Sequence, residues 1–286
     1  MLDRPVIAFD IETIPDPDVG RRLLGLDGTD TDVVHEMVRQ RLEETAGSTE
    51  YPQLPWHRVV TVCATILDPS SGHVEMRSLG RDVLDEHSHI EGFFRLVSAE
   101  FDSPRLVSWN GNGFDLPVIR YRSMMSGIAA PEFYRTDGTR KWNNYQSRYH
   151  DLHVDVMDVL SGYGSSMRIG LGTIGKALGL SGKSFLDRPI YDHVLEGDGA
   201  RVVEYCKNDT LETLLVFLAW GFHAGWLSVD QFRQFTESAR RTVARESFMG
   251  WRDIETALTE WPSWLYGTNG LGKQASWSGS TTAVHS

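Results

Sequence analysis

The chain has 286 residues, with 39 acidic against 28 basic side chains and a formal charge of −11. A hydrophobic share of 41% excludes global disorder, and the lack of an apolar run of about 18 residues excludes a transmembrane helix. Two cysteines, Cys63 and Cys206, are too few for a disulfide framework or a structural zinc site. With no basic-then-apolar leader at Met1, they predict a cytoplasmic protein. Taken alone, the net charge argues against binding nucleic acid.

In chain order, the apolar run 5–11 predicts a buried central strand. Residues 15–57 read as an insertion after it, with an amphipathic helix carrying Val33, Val34, Met37, Val38 and Leu42 and a Pro-rich exit. Residues 58–67 form a second strand, and 73–79 should pair back on it across the Asp-Pro-Ser-Ser-Gly turn. Helical spacing of Ile90, Phe93, Phe94, Val97 and Phe101 predicts a helix over 88–101. A short strand at 105–109, a helix from Phe114 to about Gly127 and another short strand near 151–154 follow. A long amphipathic helix spans about 199–221, with Val203, Cys206, Thr210, Leu214, Phe217 and Leu218 on one face, and two more helices occupy 228–260. The Gly/Ser/Thr-rich stretch 267–286 predicts disorder. This order suggests an α/β fold with a mixed sheet and a C-terminal helical extension.

Asp10 and Glu12 sit two residues apart on the first strand, so both side chains share one face. Two carboxylates on a buried strand repel unless a cation joins them, which suggests a divalent metal; they could equally begin the turn before Pro15. Asp115 follows the strand end Ser-Trp-Asn-Gly-Asn-Gly and opens a helix, where a carboxylate also suits the helix dipole. Tyr205 and Asp209 are i and i+4 on one helical face, a pattern that a solvated face would share.

Taken together, the three segments resemble the three motifs of the DEDD superfamily of 3′–5′ exonucleases. Asp10 and Glu12 match Asp-x-Glu, Asn110 and Asp115 match the second motif, and Tyr205 and Asp209 match Tyr-x-x-x-Asp. Glu204 stands where the histidine subclass has His, so the chain resembles the tyrosine subclass. Phe9 to Thr13, Trp109 to Gly111, Phe114 to Pro117, Trp142 to Tyr149, His153 to Asp155 and Gly179 to Lys183 resemble the predicted exonucleases related to the proofreading domain of family-B DNA polymerases. The similarity covers roughly 5–225. It implies an RNase H-like fold, with an exonuclease domain over 1–225, a helical extension over 226–262 and a tail over 263–286.

The resemblance further implies two divalent ions, Mg²⁺ or Mn²⁺, held by Asp10, Glu12, Asp115 and Asp209, with Asp10 bridging both. Oxygen donors without a Cys/His cluster suit those ions. Tyr205 would orient the attacking water, and the products would be nucleoside 5′-monophosphates. The expected substrate is the 3′ end of single-stranded or frayed DNA; an exoribonuclease or a catalytically silent binding module stands as the alternative. A polymerase or repair partner is left open, and no membrane is involved.

Residues 120–150 carry Arg120, Arg122, Arg135, Arg140, Lys141 and Arg148 among six aromatic rings, against only Glu132 and Asp137. Basic residues track phosphates and rings stack on unpaired bases. Trp142 and Arg148 are the favoured contacts there, with Thr13, Asn110 and Phe114 as neighbours of the 3′ nucleotide. Asp155, Asp158 and His153 read as structural. Gly170 to Gly175 spells G-x-G-x-x-G, but no hydrophobic strand precedes it, so it does not read as a dinucleotide site. Ala177 likewise replaces the Ser/Thr of a P-loop. The overall acidity predicts weak, salt-sensitive affinity for long nucleic acid.

Overall fold

The computed structural model describes residues 2–180, 186–246 and 251–261; the expected tail and most of the Gly179 to Lys183 segment lie outside these. Five strands form a mixed sheet in the order β3-β2-β1-β4-β5. β1 (Val6–Pro15), β2 (His57–Asp68) and β3 (His73–Ser78) are antiparallel neighbours. β4 (Arg105–Ser108) runs parallel to β1, and β5 (His153–Asp155) parallel to β4. Helices α1 (Pro17–Leu24) and α2 (Asp30–Glu44) join β1 to β2, α3 (Glu86–Arg95) follows β3, and α4 (Asp115–Met125) and the short α5 (Pro131–Tyr134) follow β4. After β5 come α6 (Val156–Leu160), α7 (Leu171–Leu178), α8 (Ile190–Leu195), α9 (Gly199–His223), α10 (Val229–Val243) and α11 (Trp251–Glu260). A mixed sheet flanked by helices is the arrangement an RNase H-like fold requires.

Alternation along β1 divides the core. Ile7, Phe9 and Ile11 pack with Ile90 and Phe93 of α3 and with Leu116 and Ile119 of α4. Val6 and Ala8 face the opposite layer, where Leu211, Leu214 and Leu218 of α9 lie. Asp10 and Glu12 continue this second set, so the period of two directs both carboxylates toward α9. β1 runs four residues past its apolar stretch because β2 pairs with it as far as Pro15↔His57. Backbone pairing, not hydrophobicity, sets where that strand ends. A register shift at Glu12/Thr13 leaves Val60 as an extra residue on β2, the kind of bulge that re-aims side chains beside a site.

The helix expected over 88–101 is α-helical only to Arg95; residues 96–100 form one π-helical turn, which keeps Leu96 and Val97 buried. In α2, Val33, Val34, Met37 and Val38 are buried as their spacing predicts, whereas Leu42 is exposed one turn beyond the contact. A Cβ at Gly20 of α1 would lie 2.6 Å from Met37 Sδ and 2.7 Å from Val33 Cγ1, so the absent side chain lets α1 rest on α2. At the end of β1, Arg122 of α4 pairs with Asp16 at 2.7 Å and with Glu86 at 2.6 Å, and Glu86 also accepts the Val59 N–H. This buried group ties the start of the 16–56 connection to β2, α3 and α4. α10 and α11 share the α9-side core through Phe232, Phe235, Ile254 and Leu258, and Thr242 Oγ1 donates to the Val74 carbonyl at 2.7 Å.

Candidate active site

β4 stops pairing with β1 at Ala8↔Val107, so beyond Ala8 one edge of β1 faces the loop after β4 instead of a strand. Asp115, at the start of α4, fills part of that role. Its Oδ1 accepts the buried Ile11 N–H at 3.2 Å, which fixes Asp115 against the peptide between Asp10 and Glu12. From the opposite layer, α9 contributes Cys206, whose Sγ lies 3.5 Å from the Asp10 carbonyl oxygen and 3.7 Å from Asp10 Oδ2. One ligand atom each from Asp10, Glu12 and Cys206 falls within 4.8 Å of the others. Burial pushes the Cys206 thiol well above its ordinary range, with Cys63 and the charges of Asp10 and Glu12 adding to it. It is therefore a neutral S–H donor beside two carboxylates.

The chain reverses between β4 and α4 through Trp109–Phe114. Asn110 takes a left-handed φ of +67°, a conformation Asn tolerates better than most residues, and its carbonyl accepts the N–H groups of Gly113 and Phe114. Gly111 is needed for another reason: a Cβ there would collide with Ser108 Oγ. Asp155, at the end of β5, holds this loop from below. Its carboxylate accepts backbone N–H groups of Asn110 at 3.0 Å, Asn112 at 2.9 Å and Asp158 at 3.2 Å. Burial raises its pKa despite these bonds. Asp158 accepts Asn112 Nδ2, Arg148 and Arg168. Burial opposes its ionisation, but the Asn112 and Arg148 hydrogen bonds outweigh it and keep the pKa low. Both carboxylates hold structure, as their sequence reading expects. His153 does too: it is buried, bonded to Ser108 Oγ at 2.8 Å, and burial pulls its pKa down to about 3.

Two cavities, each about 550 Å³, meet at Asp10. The first is lined by Asp10, Glu12, Thr13, Asn110, Phe114, Asp115 and Tyr205. The second is lined by Asp10, Trp109, Asn110, Lys176 and the buried Asp209. All the carboxylates picked from the sequence thus line one cavity or the other, with Asp10 in both. Trp142 and Arg148 line neither. Trp142 is 78% exposed beneath the Lys141 ammonium, and Arg148 pairs with Asp158 beside Tyr149 and Tyr163. Gly170 and Gly172 at the start of α7 and Lys176 in its last turn, which do not form a nucleotide fingerprint, line the second cavity.

Sequence reasoning passed over Cys206 and His57. Cys206 lies one turn before Asp209 on α9, a spacing that could have pointed to it. His57 lines the first cavity; its Nδ1 lies 2.8 Å from Thr13 Oγ1 and its Nε2 is 3.2 Å from the Pro52 carbonyl. Because a carbonyl can only accept, Nε2 carries the proton and Thr13 donates to Nδ1. Burial lowers the His57 pKa to about 4, which keeps the ring neutral.

One family matches residues 49–261, a stretch that contains every strand except β1. The chain belongs to the predicted 3′–5′ exonucleases related to the exonuclease domain of PolB. Membership in this exonuclease family supports nuclease activity and a nucleic-acid substrate. Asp10 and Glu12 precede the matched stretch, and the pairing of β1 between β2 and β4 brings them against it. No curated protein matches the chain.

Proposed function

We propose that this chain is a metal-dependent 3′–5′ exonuclease of the tyrosine DEDD type, which removes nucleotides from the 3′ end of single-stranded or frayed DNA. The observation that carries the reading is the convergence at Asp10: carboxylates from β1, α4 and α9 line two cavities that share Asp10, Trp109 and Asn110, with Asp10 the one carboxylate common to both linings. Kinship with the exonuclease domain of PolB favours DNA.

The donor set fits hard divalent cations. Asp10, Glu12, Asp115 and Asp209 offer carboxylate oxygens, and the neighbouring Cys206 thiol is held protonated. These four residues would hold Mg²⁺ or Mn²⁺. Bound there, the ions supply neutralisation of the scissile phosphate and a more acidic attacking water. The chain's own residues do the rest. Asp115, bonded to the Ile11 N–H, is held against the strand. Tyr205, which lines the first cavity with Asp115, orients the water by hydrogen bonding. The water oxygen attacks phosphorus, the P–O3′ bond breaks, and the oxygen left on the shortened strand takes up a proton. The released product is a nucleoside 5′-monophosphate.

The test uses 5′-labelled single-stranded DNA and RNA of one sequence with Mg²⁺, Mn²⁺ or EDTA. A ladder shortening from the 3′ end of DNA, abolished by EDTA, is the expected result. Shortening of RNA alone replaces DNA with RNA as the substrate, and no cleavage with either metal overturns the reading.

A further inference from the structure

The connection between β1 and β2 reaches into the first cavity. Arg41 of α2 and Thr49, Tyr51, Pro52 and Leu54 from the return to β2 line it together with Asp10 and Glu12. This segment is fixed at several points. A capping box at Thr29 starts α2, and His35 bonds Asp192 of α8 at 2.9 Å. Thr45 Oγ1 donates to the Arg41 carbonyl, and Arg41 Nε donates to the Tyr51 carbonyl at 2.9 Å. Asp16 N–H donates to the Trp56 carbonyl at 2.8 Å, closing the base of the connection.

Its aromatic ring is presented to the cavity. Tyr51 is 62% exposed, so its ring is accessible from the cavity side. Its plane lies within 24° of the His57 ring at a centroid distance of 6.5 Å, and His57 meets Phe114 edge-on at 5.0 Å. These three rings line the cavity together with Asp115, Trp109 and Tyr205, whereas Lys176 belongs to the second cavity. The volume, about 550 Å³, lies within the range of pockets that bury a small ligand. Base stacking on a ring is tolerant of sequence because every base has a π-face.

Resting on the exonuclease reading, we infer that the 16–56 connection builds the pocket for the 3′-terminal nucleotide, with Tyr51 stacking on its base and Arg41 acting as a positioning residue that holds the Tyr51 backbone.

The test compares wild type, Tyr51→Ala and Tyr51→Phe on 5′-labelled single-stranded DNA with Mn²⁺, using a normal or an abasic 3′-terminal nucleotide. Tyr51→Ala is expected to raise KM roughly 10- to 100-fold on the normal end, with kcat within a few-fold. The abasic end should raise KM for wild type and Tyr51→Phe and leave Tyr51→Ala indifferent. An unchanged KM in Tyr51→Ala, or an equal rise on both ends, overturns this inference and leaves the exonuclease reading standing. A wild-type chain that does not shorten 3′ ends overturns both.

Discussion

Two groups of carboxylates flank the loop after β4, built from the same side chains and used in opposite ways. Asp155 and Asp158 direct their oxygens at backbone N–H groups, an amide and two arginines, and so hold Trp109–Phe114 in place. Asp10 and Glu12 face a cavity, crowd a neutral thiol and lie beside a third carboxylate. A buried carboxylate surrounded by protein donors stabilises a fold; carboxylates gathered on one another cost stability and suit a cation supplied from outside. On the exonuclease reading, that is the difference between a scaffold and a site.

Substitutions can break that contrast, and the largest effect is expected at Asp10. Asp10→Asn should reduce 3′-end hydrolysis roughly 1,000-fold or more while the melting temperature holds or rises, since one of several crowded charges is removed. Asp155→Ala should do the reverse first. Three backbone N–H groups lose a charged acceptor, and urea denaturation is expected to report a loss of about 3–5 kcal/mol. Equal destabilisation by both variants would erase the distinction.

Each group has a buried histidine beside it, and acid should sharpen the comparison. His57 sits at about 4 and His153 at about 3, both below the ordinary 6.5, because burial disfavours their charged forms. Between those values the unfolded chain binds more protons, so this stability is full above about pH 6.5 and lost as pH falls through 4 toward 3. His57→Gln should flatten the fall in melting temperature between pH 6.5 and 4, by up to about 3 kcal/mol of stability. An unaltered acid limb would show that His57 is not held neutral by the fold. Smaller still, Gly111→Ala forces a Cβ against Ser108 Oγ and should cost about 1–3 kcal/mol, measured by thermal unfolding. Asp158→Ala should cost about 1 kcal/mol, because Arg148 and Arg168 are partly exposed and water replaces much of each pair.

Much of this was legible in the sequence for physical reasons. The alternation of Val6 to Glu12 implies that both carboxylates share the α9 face, and the i, i+4 spacing of Tyr205 and Asp209 needs only a helix. Local periodicity carried those elements. It did not carry the length of β1, which pairing with β2 extends to Pro15, or the end of α3, where a π turn replaces the α-helix. Nor does periodicity say where a loop lies. Trp142 and Arg148 belong to a basic, aromatic window, yet they line neither cavity at Asp10. Arg41 and Tyr51 sit in a segment that reads as an insertion, yet they form a cavity wall. Their positions follow from tertiary contacts such as the Arg122–Asp16–Glu86 group, whose partners come from distant parts of the chain.

The central claim is that Asp10 organises hydrolysis at a 3′ end, and release of a 3′-terminal radiolabelled nucleotide from single-stranded DNA in Mn²⁺ tests it most directly. Wild type is predicted to release nucleoside 5′-monophosphate, and Asp10→Asn to release essentially none while remaining folded by circular dichroism. Equal release by both proteins, or labelled products longer than one nucleotide, would contradict the account.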